Sequence, residues 1–376
     1  MTRVQVKPEL LRWACQRSRM DEVELAVRFP KLDAWLSRET HPTFKQLEAF
    51  AQATHVPFGY LFLPDPPDEP LPIADFRTTT RGTPQPSGEL LDTIYLCQQR
   101  QAWYSEEMML AHEPPSPLVA AMKPGETAAD AAARARKVLE YDIDARPHVT
   151  PDRAFALLAE RAEAQGVLVM VSGVVGSNTS RRLDVDELRG FSLADDPLAP
   201  VVFVNGADAK AAQVFTLAHE LGHLWRGESA VSTEDLRDTT TPGVEAWCNA
   251  FAAELLAPEQ TLRQHVGQGA PDAKEIARRF GVSEAVIVRR LFDLRMISRQ
   301  VFDERMAILL ARRTRPDGRG GDFYATLFAR ASKRLTRAVV AGALEGRIPY
   351  TRAMNLLGFH KLSVFDEVAR RLDLAP

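Results

Sequence analysis

A chain of 376 residues is longer than one ordinary domain, so two or three packed units are expected. Its 45% hydrophobic and 26% charged residues exclude a disordered or fibrous protein, and no apolar run approaches the roughly 18 residues needed to span a bilayer. Three scattered cysteines (Cys15, Cys97, Cys248) exclude a disulfide framework and a four-cysteine metal site. The start, Met1 to Pro8, lacks the apolar core of a secretion signal, so the cytoplasm is the expected location and no membrane partner is expected.

The first 64 residues read as a packet of short helices. Apolar faces recur at Leu10, Leu11, Ala14 and Cys15, then Val23, Leu25 and Ala26, then Leu32, Trp35 and Leu36, then Phe44, Leu47, Phe50 and Ala51. Breaks fall at Ser18–Asp21, Phe29-Pro30 and His41-Pro42, with Pro42-Thr43 a start signal for the fourth helix. Five short helices in this order, carrying Leu11-Arg12-Trp13-Ala14 and Pro42-Thr43-x-x-Gln46-Leu47, resemble Cro/repressor-type (XRE-family) helix-turn-helix domains. The resemblance implies a third helix, Lys31 to Glu39, that enters a DNA major groove with Lys31, Asp33, Ser37 and Arg38 as contacts. Residues 1–60 hold nine Lys/Arg against seven Asp/Glu, a net of +2, which predicts weak non-specific affinity for phosphates. Where such domains commonly have Trp-Glu-x-Gly, this chain has Trp35-Leu36-Ser37-Arg38; protein docking or dimerisation, as in a homodimer, is the other role for the unit.

Residues 65–123 read as a linker and connecting helix. Pro64-Asp65-Pro66-Pro67-Asp68-Glu69-Pro70 favours an extended chain, and Thr78-Thr79-Thr80-Arg81-Gly82 is polar. A helix from Gly88 to Ala111 offers Leu90, Leu91, Ile94, Tyr95, Gln98 and Trp103 for packing, and Ala128 to Tyr141 forms another. Val167–Val171 and Pro200–Asn205 are apolar enough for strands, and Arg189-Gly190-Phe191-Ser192 leads into a third.

His219-Glu220-Leu221-Gly222-His223 lies in an apolar helical run without proline. Residues four apart share a helix face, so two imidazoles meet at one point. The pattern is that of a zinc peptidase, with Glu220 placed to take a proton from water. A third ligand is needed. Arg226 and Ser229 stand where a glycine and a third histidine would belong, which leaves a downstream carboxylate. The run from Glu245 to Leu256, opened by Pro242-Gly243 and closed by Pro258, reads as a helix. On it Glu245 can reach the metal, and Asn249, one turn on, can orient a ligating histidine. Glu254 falls about 180° round from Glu245 and is expected to face solvent. Glu228, Glu234, Asp235 and Asp238 lie in a polar loop, and Cys248 reads as a small buried hydrophobe.

Phe215 to His223, followed by Glu245-x-x-Cys248-Asn249-x-Phe251-Ala252-Ala253-x-Leu255-Leu256-x-Pro258, resembles the ImmA/IrrE family of zinc metallopeptidases. The likeness spans roughly residues 124–300, and Asp75-Phe76-Arg77 also matches members fused to a helix-turn-helix. It implies that His219, His223 and Glu245 bind Zn²⁺, that Glu220 is the general base, and that the substrate is another protein, a repressor or a toxin/antitoxin partner. Cys248 departs from the alanine more common there.

Within residues 272–297, Ile276-Ala277-x-x-Phe280-Gly281-Val282-Ser283 and then Val286-Ile287-x-x-Arg290-Leu291 read as a second helix-turn-helix-like segment, with Arg289 and Arg290 as DNA contacts. Residues 272–345 hold sixteen Lys/Arg against nine Asp/Glu, a net of +7, which is the strongest nucleic-acid signal in the chain. Arg312 to Gly321 reads as a hinge. The helical C-terminal region, 301–376, is expected to contain one helix from Phe323 to Leu344 and two shorter ones at Tyr350–Leu357 and Ser363–Leu372.

The expected protein is α+β and mainly helical: a five-helix N-terminal domain (1–64), a zincin-like peptidase domain with a small sheet and the HExxH helix (124–300), and a helical C-terminal region. Its expected function is a zinc-dependent endopeptidase that cleaves a specific partner to control gene expression, with the substrate adding as a strand beside Val201–Val204. Self-cleavage within residues 64–86 is a further expectation. The alternative is a non-proteolytic DNA-binding repressor or antitoxin in which zinc only holds a protein-binding fold.

Overall fold

The computed structural model describes residues 3–18, 20, 22–75, 86–143, 149–232, 243–266, 272–311 and 322–374. Among them, seventeen α-helices and one five-stranded sheet make an α+β, mainly helical fold, and no helix is long and apolar enough to cross a membrane. The chain divides into two compact units, Met1–Pro72 with Arg81–Ile94, and Ile73–Thr80 with Tyr95–Pro376.

The first unit contains α1 (Pro8–Ser18), α2 (Glu22–Arg28), α3 (Leu32–Leu36), α4 (Phe44–Thr54) and a 3-10 turn at Phe58–Phe62, where five helices were expected. Leu10, Leu11, Trp35, Leu47, Phe50 and Leu61 form its core, while Val23, Ala26 and Phe44 are exposed. A capping box opens α4: Thr43 Oγ1 accepts the Gln46 N–H, and Gln46 Oε1 accepts the Thr43 N–H. The third helix is shorter than Lys31–Glu39. Ser37 N–H bonds back to Asp33 O, and Arg38 turns into the left-handed region at φ 64°, so Lys31 precedes the helix and Ser37 and Arg38 follow it. All three are exposed, with Arg38 3.8 Å from Glu9. Arg17, buried, ties this unit together by pairing with Glu69 at 2.7 Å and Asp92 at 2.8 Å.

In the second unit the sheet order is β1 (Ala74–Asp75), β5 (Ala230–Ser232), β3 (Gly190–Leu193), β4 (Val201–Asn205) and β2 (Leu168–Ser172). β3 is antiparallel to both neighbours and the remaining pairings are parallel. Because helices pack on the sheet, its central strands are buried throughout and read as continuous apolar runs. β4 is hydrogen-bonded on both sides, so the expected strand addition beside Val201–Val204 has no edge to use. β1, within the expected linker, and β5, within the polar loop, have two and three described residues, too few for a periodic signal. Residues 76–85, part of the expected self-cleavage segment, lie outside the described residues.

α5 (Gly88–Leu110) buries Leu90, Leu91, Ile94 and Trp103 as expected but exposes Tyr95 and buries Arg100. The Arg100 guanidinium donates to Arg330 O and Leu356 O at 2.9 and 3.0 Å, carbonyls near two helix C-termini. α6 (Ala128–Val138), α7 (Pro151–Ala164), α8 (Lys210–Arg226), α9 (Val244–Leu256) and α10 (Glu259–His265) follow; α7 and α8 pack on the sheet, α9 on α8, and α6 on α9.

α11 (Ala273–Phe280) and α12 (Glu284–Asp293) flank Gly281, left-handed at φ 68°, with Ser283 capping α12. This is the expected helix–turn–helix geometry, but α12 presents no exposed face like that of a groove-reading helix. Every residue of it before Asp293 is buried or half-buried, and its apolar side joins the core containing α8 and α9. Arg290, expected as a DNA contact, is instead 7% exposed, donates to Ala257 O and pairs with Glu254. That pair also draws Glu254 in from the solvent-facing position expected of it. Arg289 is tied to Asp293 at 2.9 Å.

After α13 (Arg299–Ala311), the expected hinge at residues 312–321 lies outside the described residues. The single helix expected from Phe323 to Leu344 is two, α14 (Phe323–Ala331) and α15 (Lys333–Leu344). Ser332 divides them: at φ 64° it leaves the helix, its Oγ accepts the Leu335 N–H to cap α15, and its hydroxyl donates to half-buried Glu163. α16 (Tyr350–Leu357) and α17 (Leu362–Arg371) follow.

Candidate metal centre

α8 is the helix on which the site is built. Gln213 through Trp225 are all buried, which is why its sequence is apolar nearly all round and shows no exposed stripe. Gly227 ends it in a left-handed turn at φ 77°, its N–H bonded to His223 O and Leu224 O. Two glycines let neighbours come close. A methyl at Gly222 would lie 3.1 Å from Phe251 Cδ1 and 3.4 Å from the Cys248 backbone, so α9 crosses tightly at this point. A methyl at Gly190 would lie 2.6 Å from Thr216 Cγ2 and 3.0 Å from Glu220 Oε1, so β3 runs against the other side of α8.

This crossing brings together three residues that the sequence holds apart. His219 Nε2 and His223 Nε2 are 3.0 Å from each other. Glu245, from the first turn of α9, places its carboxylate oxygens 3.3 Å from His219 Nε2 and 3.1 Å from His223 Nε2. Both histidines are fully buried and Glu245 is 8% exposed. The contact of His219 Nδ1 with Asn249 Oδ1, at 3.0 Å, makes Nδ1 the protonated nitrogen and leaves the Nε2 lone pair facing the centre. Asn249 thus lies where the helical register put it.

The donor set fits zinc. In a tetrahedral site with bonds of about 2.0–2.1 Å, neighbouring donor atoms stand about 3.3 Å apart, close to the spacings here. Burial lowers the pKa of His223 and favours its neutral, ligating form, although the nearby Glu245 works in the opposite sense. Without metal, burial alone would raise Glu245, but hydrogen bonds from His219 and His223 in their protonated forms outweigh it and hold the carboxyl at about 2. His219, His223 and Glu245 are accordingly a group able to hold a metal ion. Burial, then the charges of Glu245 and Glu220, push the Cys248 thiol well above its ordinary range, so it is a packing residue facing Gly222.

Glu220, next to His219, is fully buried with its carboxylate against Gly190. Lys31, Ser37 and Arg38 belong to the first unit, and Arg289 and Arg290 are engaged elsewhere on α12. Of the loop acids, Glu228 pairs with Arg226, while Glu234, Asp235 and Asp238 lie outside the described residues. Two residues at the site carried no sequence signal. Ser232, at the end of β5, has Oγ 3.4 Å from His223 Nε2, and Gly190 supplies the gap that Glu220 occupies.

A buried HExxH helix crossed by a glutamate-bearing helix, beside a small mixed sheet, has the character of a metallopeptidase centre. Residues 162–292 match the family model of the IrrE N-terminal-like domain, Peptidase_M78, a narrower span than the 124–300 of the sequence resemblance. The match supports metallopeptidase-type function for this segment. Residues 331–371, covering α15 to α17, match a domain of unknown function, DUF8813. A comparison with curated proteins found no match.

Proposed function

We propose that this protein is a zinc-dependent endopeptidase that cuts one specific partner, repressor- or antitoxin-like, to control gene expression, with its N-terminal unit as a DNA-binding module. The observation that carries the reading is the convergence of His219 Nε2, His223 Nε2 and the Glu245 carboxylate within 3.0 to 3.3 Å, with Glu220 one residue from the first ligand. His219, His223 and Glu245 would hold the ion, and Asn249 would keep His219 in the ligating tautomer. When bound, zinc supplies Lewis-acid chemistry, drawing charge from a carbonyl oxygen and making water at the site more acidic.

The chain's own contribution to turnover is proton transfer. Glu220 takes a proton from the water whose oxygen adds to the peptide carbonyl carbon, then delivers it to the departing amine nitrogen as the C–N bond breaks. Packing of β3 against Glu220 fixes its carboxylate for both transfers. The non-proteolytic alternative, a repressor or antitoxin with structural zinc, has no use for Glu220. A fully buried carboxylate carries a desolvation cost that a structural site gives no reason to keep. DNA contacts, on this reading, belong to exposed Lys31, Ser37 and Arg38 and not to α12.

The test is intact mass of the neighbouring genes' products, and of this protein itself, after incubation with zinc-loaded wild type or Glu220→Gln. A defined cut made by wild type alone supports the enzyme and names its substrate. Zinc bound in both with no cut in either overturns it in favour of the binder.

A further inference from the structure

Ser232 stands at the metal centre with no task in the chemistry above. On the antiparallel pair of β3 and β5 it faces Gly190, and residues opposite each other in such a ladder point to the same face of the sheet. That face is turned to α8. The Cβ position of Gly190 lies 3.0 Å from Glu220 Oε1, and Ser232 Oγ lies 3.4 Å from His223 Nε2. One facing pair of strand residues therefore reaches both the proton-transfer carboxylate and a metal-ligating nitrogen.

The Ser232 side chain is fully buried, and among the described residues the hydrogen-bond partner of its hydroxyl is His223 Nε2. That nitrogen carries the lone pair turned toward His219 and Glu245. A bound ion takes the lone pair, and the hydroxyl must then find another acceptor, because a buried donor without one carries the full penalty of its desolvation. Zinc draws its protein ligands from thiolate, imidazole and carboxylate, so a neutral hydroxyl here is a donor beside the ion and not a fourth ligand. Donors of a tetrahedral set stand about 3.3 Å apart, so an oxygen completing the set is about as far from His223 Nε2 as Ser232 Oγ is.

We propose that Ser232 is a catalytic hydrogen-bond donor to the carbonyl oxygen of the scissile peptide as that oxygen gains negative charge. The role rests on the metallopeptidase reading and adds to it the contact for the oxyanion. As water adds to the carbonyl carbon, the C=O π pair moves onto oxygen, and the Ser232 O–H donates to it while keeping its own proton. The pair returns to form the new carboxyl as the C–N bond breaks. A hydrogen bond to a charged oxygen is shorter and about twice as strong as one to a neutral carbonyl, so this contact favours the tetrahedral state over the bound substrate. Ser232 has a single rotatable side-chain bond and a backbone fixed by β3, and its site excludes water, so the donor is in place before charge develops.

The experiment uses the full chain in a Glu220→Gln background, with Co²⁺ in place of Zn²⁺ so that the visible spectrum reports what surrounds the ion. Inorganic phosphate, a tetrahedral oxyanion, and imidazole, which binds through nitrogen and has no charged oxygen, are titrated with and without Ser232→Ala. Phosphate should bind about 10-fold more weakly without the hydroxyl, while imidazole affinity and zinc affinity by chelator competition stay unchanged. Equal phosphate affinity, or an equal loss for phosphate and imidazole, overturns the role. In the Glu220-intact, zinc-loaded protein, Ser232→Ala should lower kcat for partner cleavage about 100-fold and leave KM nearly unchanged. The two readings fail separately. Absence of proteolysis by wild type, with the selective loss of phosphate present, removes the peptidase and leaves the oxyanion donor. Proteolysis with the same kcat in Ser232→Ala removes the donor and leaves the peptidase.

Discussion

Gly190→Ala is the most exacting probe of how the sheet holds the metal helix. The added methyl would stand 2.6 Å from Thr216 Cγ2, 3.0 Å from Glu220 Oε1 and 3.0 Å from Phe203 O. Carbon atoms in packed interiors settle at about 3.5–4.0 Å, so β3 and α8 must separate by about 1 Å. Neither neighbour yields cheaply. Thr216 is a buried β-branched residue in the middle of α8, and Phe203 O belongs to β4, whose register β3 shares. Overpacking of this kind costs about 1–3 kcal/mol, and the lower chain entropy of alanine returns about 0.4–1 kcal/mol, for a net loss of about 1–2 kcal/mol. Catalysis should suffer more than stability. Moving a proton-transfer group by about 1 Å costs on the order of 100-fold in rate. Urea melts monitored by circular dichroism, zinc content and the rate of partner cleavage are the assays. A variant with wild-type stability and wild-type rate would refute the close approach of β3 to Glu220.

Asn249→Ala should weaken zinc binding by about 10–100-fold with the fold intact, read by competition with a chromophoric chelator. Arg290→Ala leaves the Glu254 carboxylate half-buried without its cation and should destabilise the second unit by about 3 kcal/mol in denaturant melts. The same variant should leave DNA affinity unchanged in a gel-shift assay, whereas a loss would restore α12 as a DNA contact. In metal-free protein, Glu245 sits at about 2, below its ordinary 4.5, so the stability it adds is present above pH 4.5 and is lost as pH falls toward 2. Glu245→Gln should therefore flatten the acid limb of the melting-temperature profile. Ser332→Ala removes the cap of α15 and its bond to Glu163, and should cost about 1 kcal/mol.

What could be read ahead of the structure follows from how local each signal is. His219 and His223 meet because four residues make about one helical turn, and Glu245 and Asn249 share a face of α9 for the same reason. The start signal at Pro42-Thr43 and the glycine turn at Gly281 were equally local. Interactions across long separations left no mark in the sequence. Arg100 is buried because it meets carbonyls at positions 330 and 356, and Arg290 turns inward because Glu254 and Ala257 wait there. Basic residues in a row suggested a DNA surface when at least one was a buried strut. Ser332 breaks a helix with neither glycine nor proline to announce it, because Glu163 on α7 rewards its unusual backbone. β1 and β5 gave no signal because their two and three described residues carry no alternation.

The central claim, that Glu220 and the His219–His223–Glu245 centre hydrolyse a peptide bond, is tested most directly by following the solvent oxygen. The zinc-loaded protein is incubated in ¹⁸O-labelled water with each neighbouring gene product, and the fragments are weighed. One cut is expected, with a single ¹⁸O in the new carboxyl terminus at the first turnover, and no cut by Glu220→Gln. A cut made equally well by Glu220→Gln, or no cut by fully zinc-loaded wild type, would contradict it.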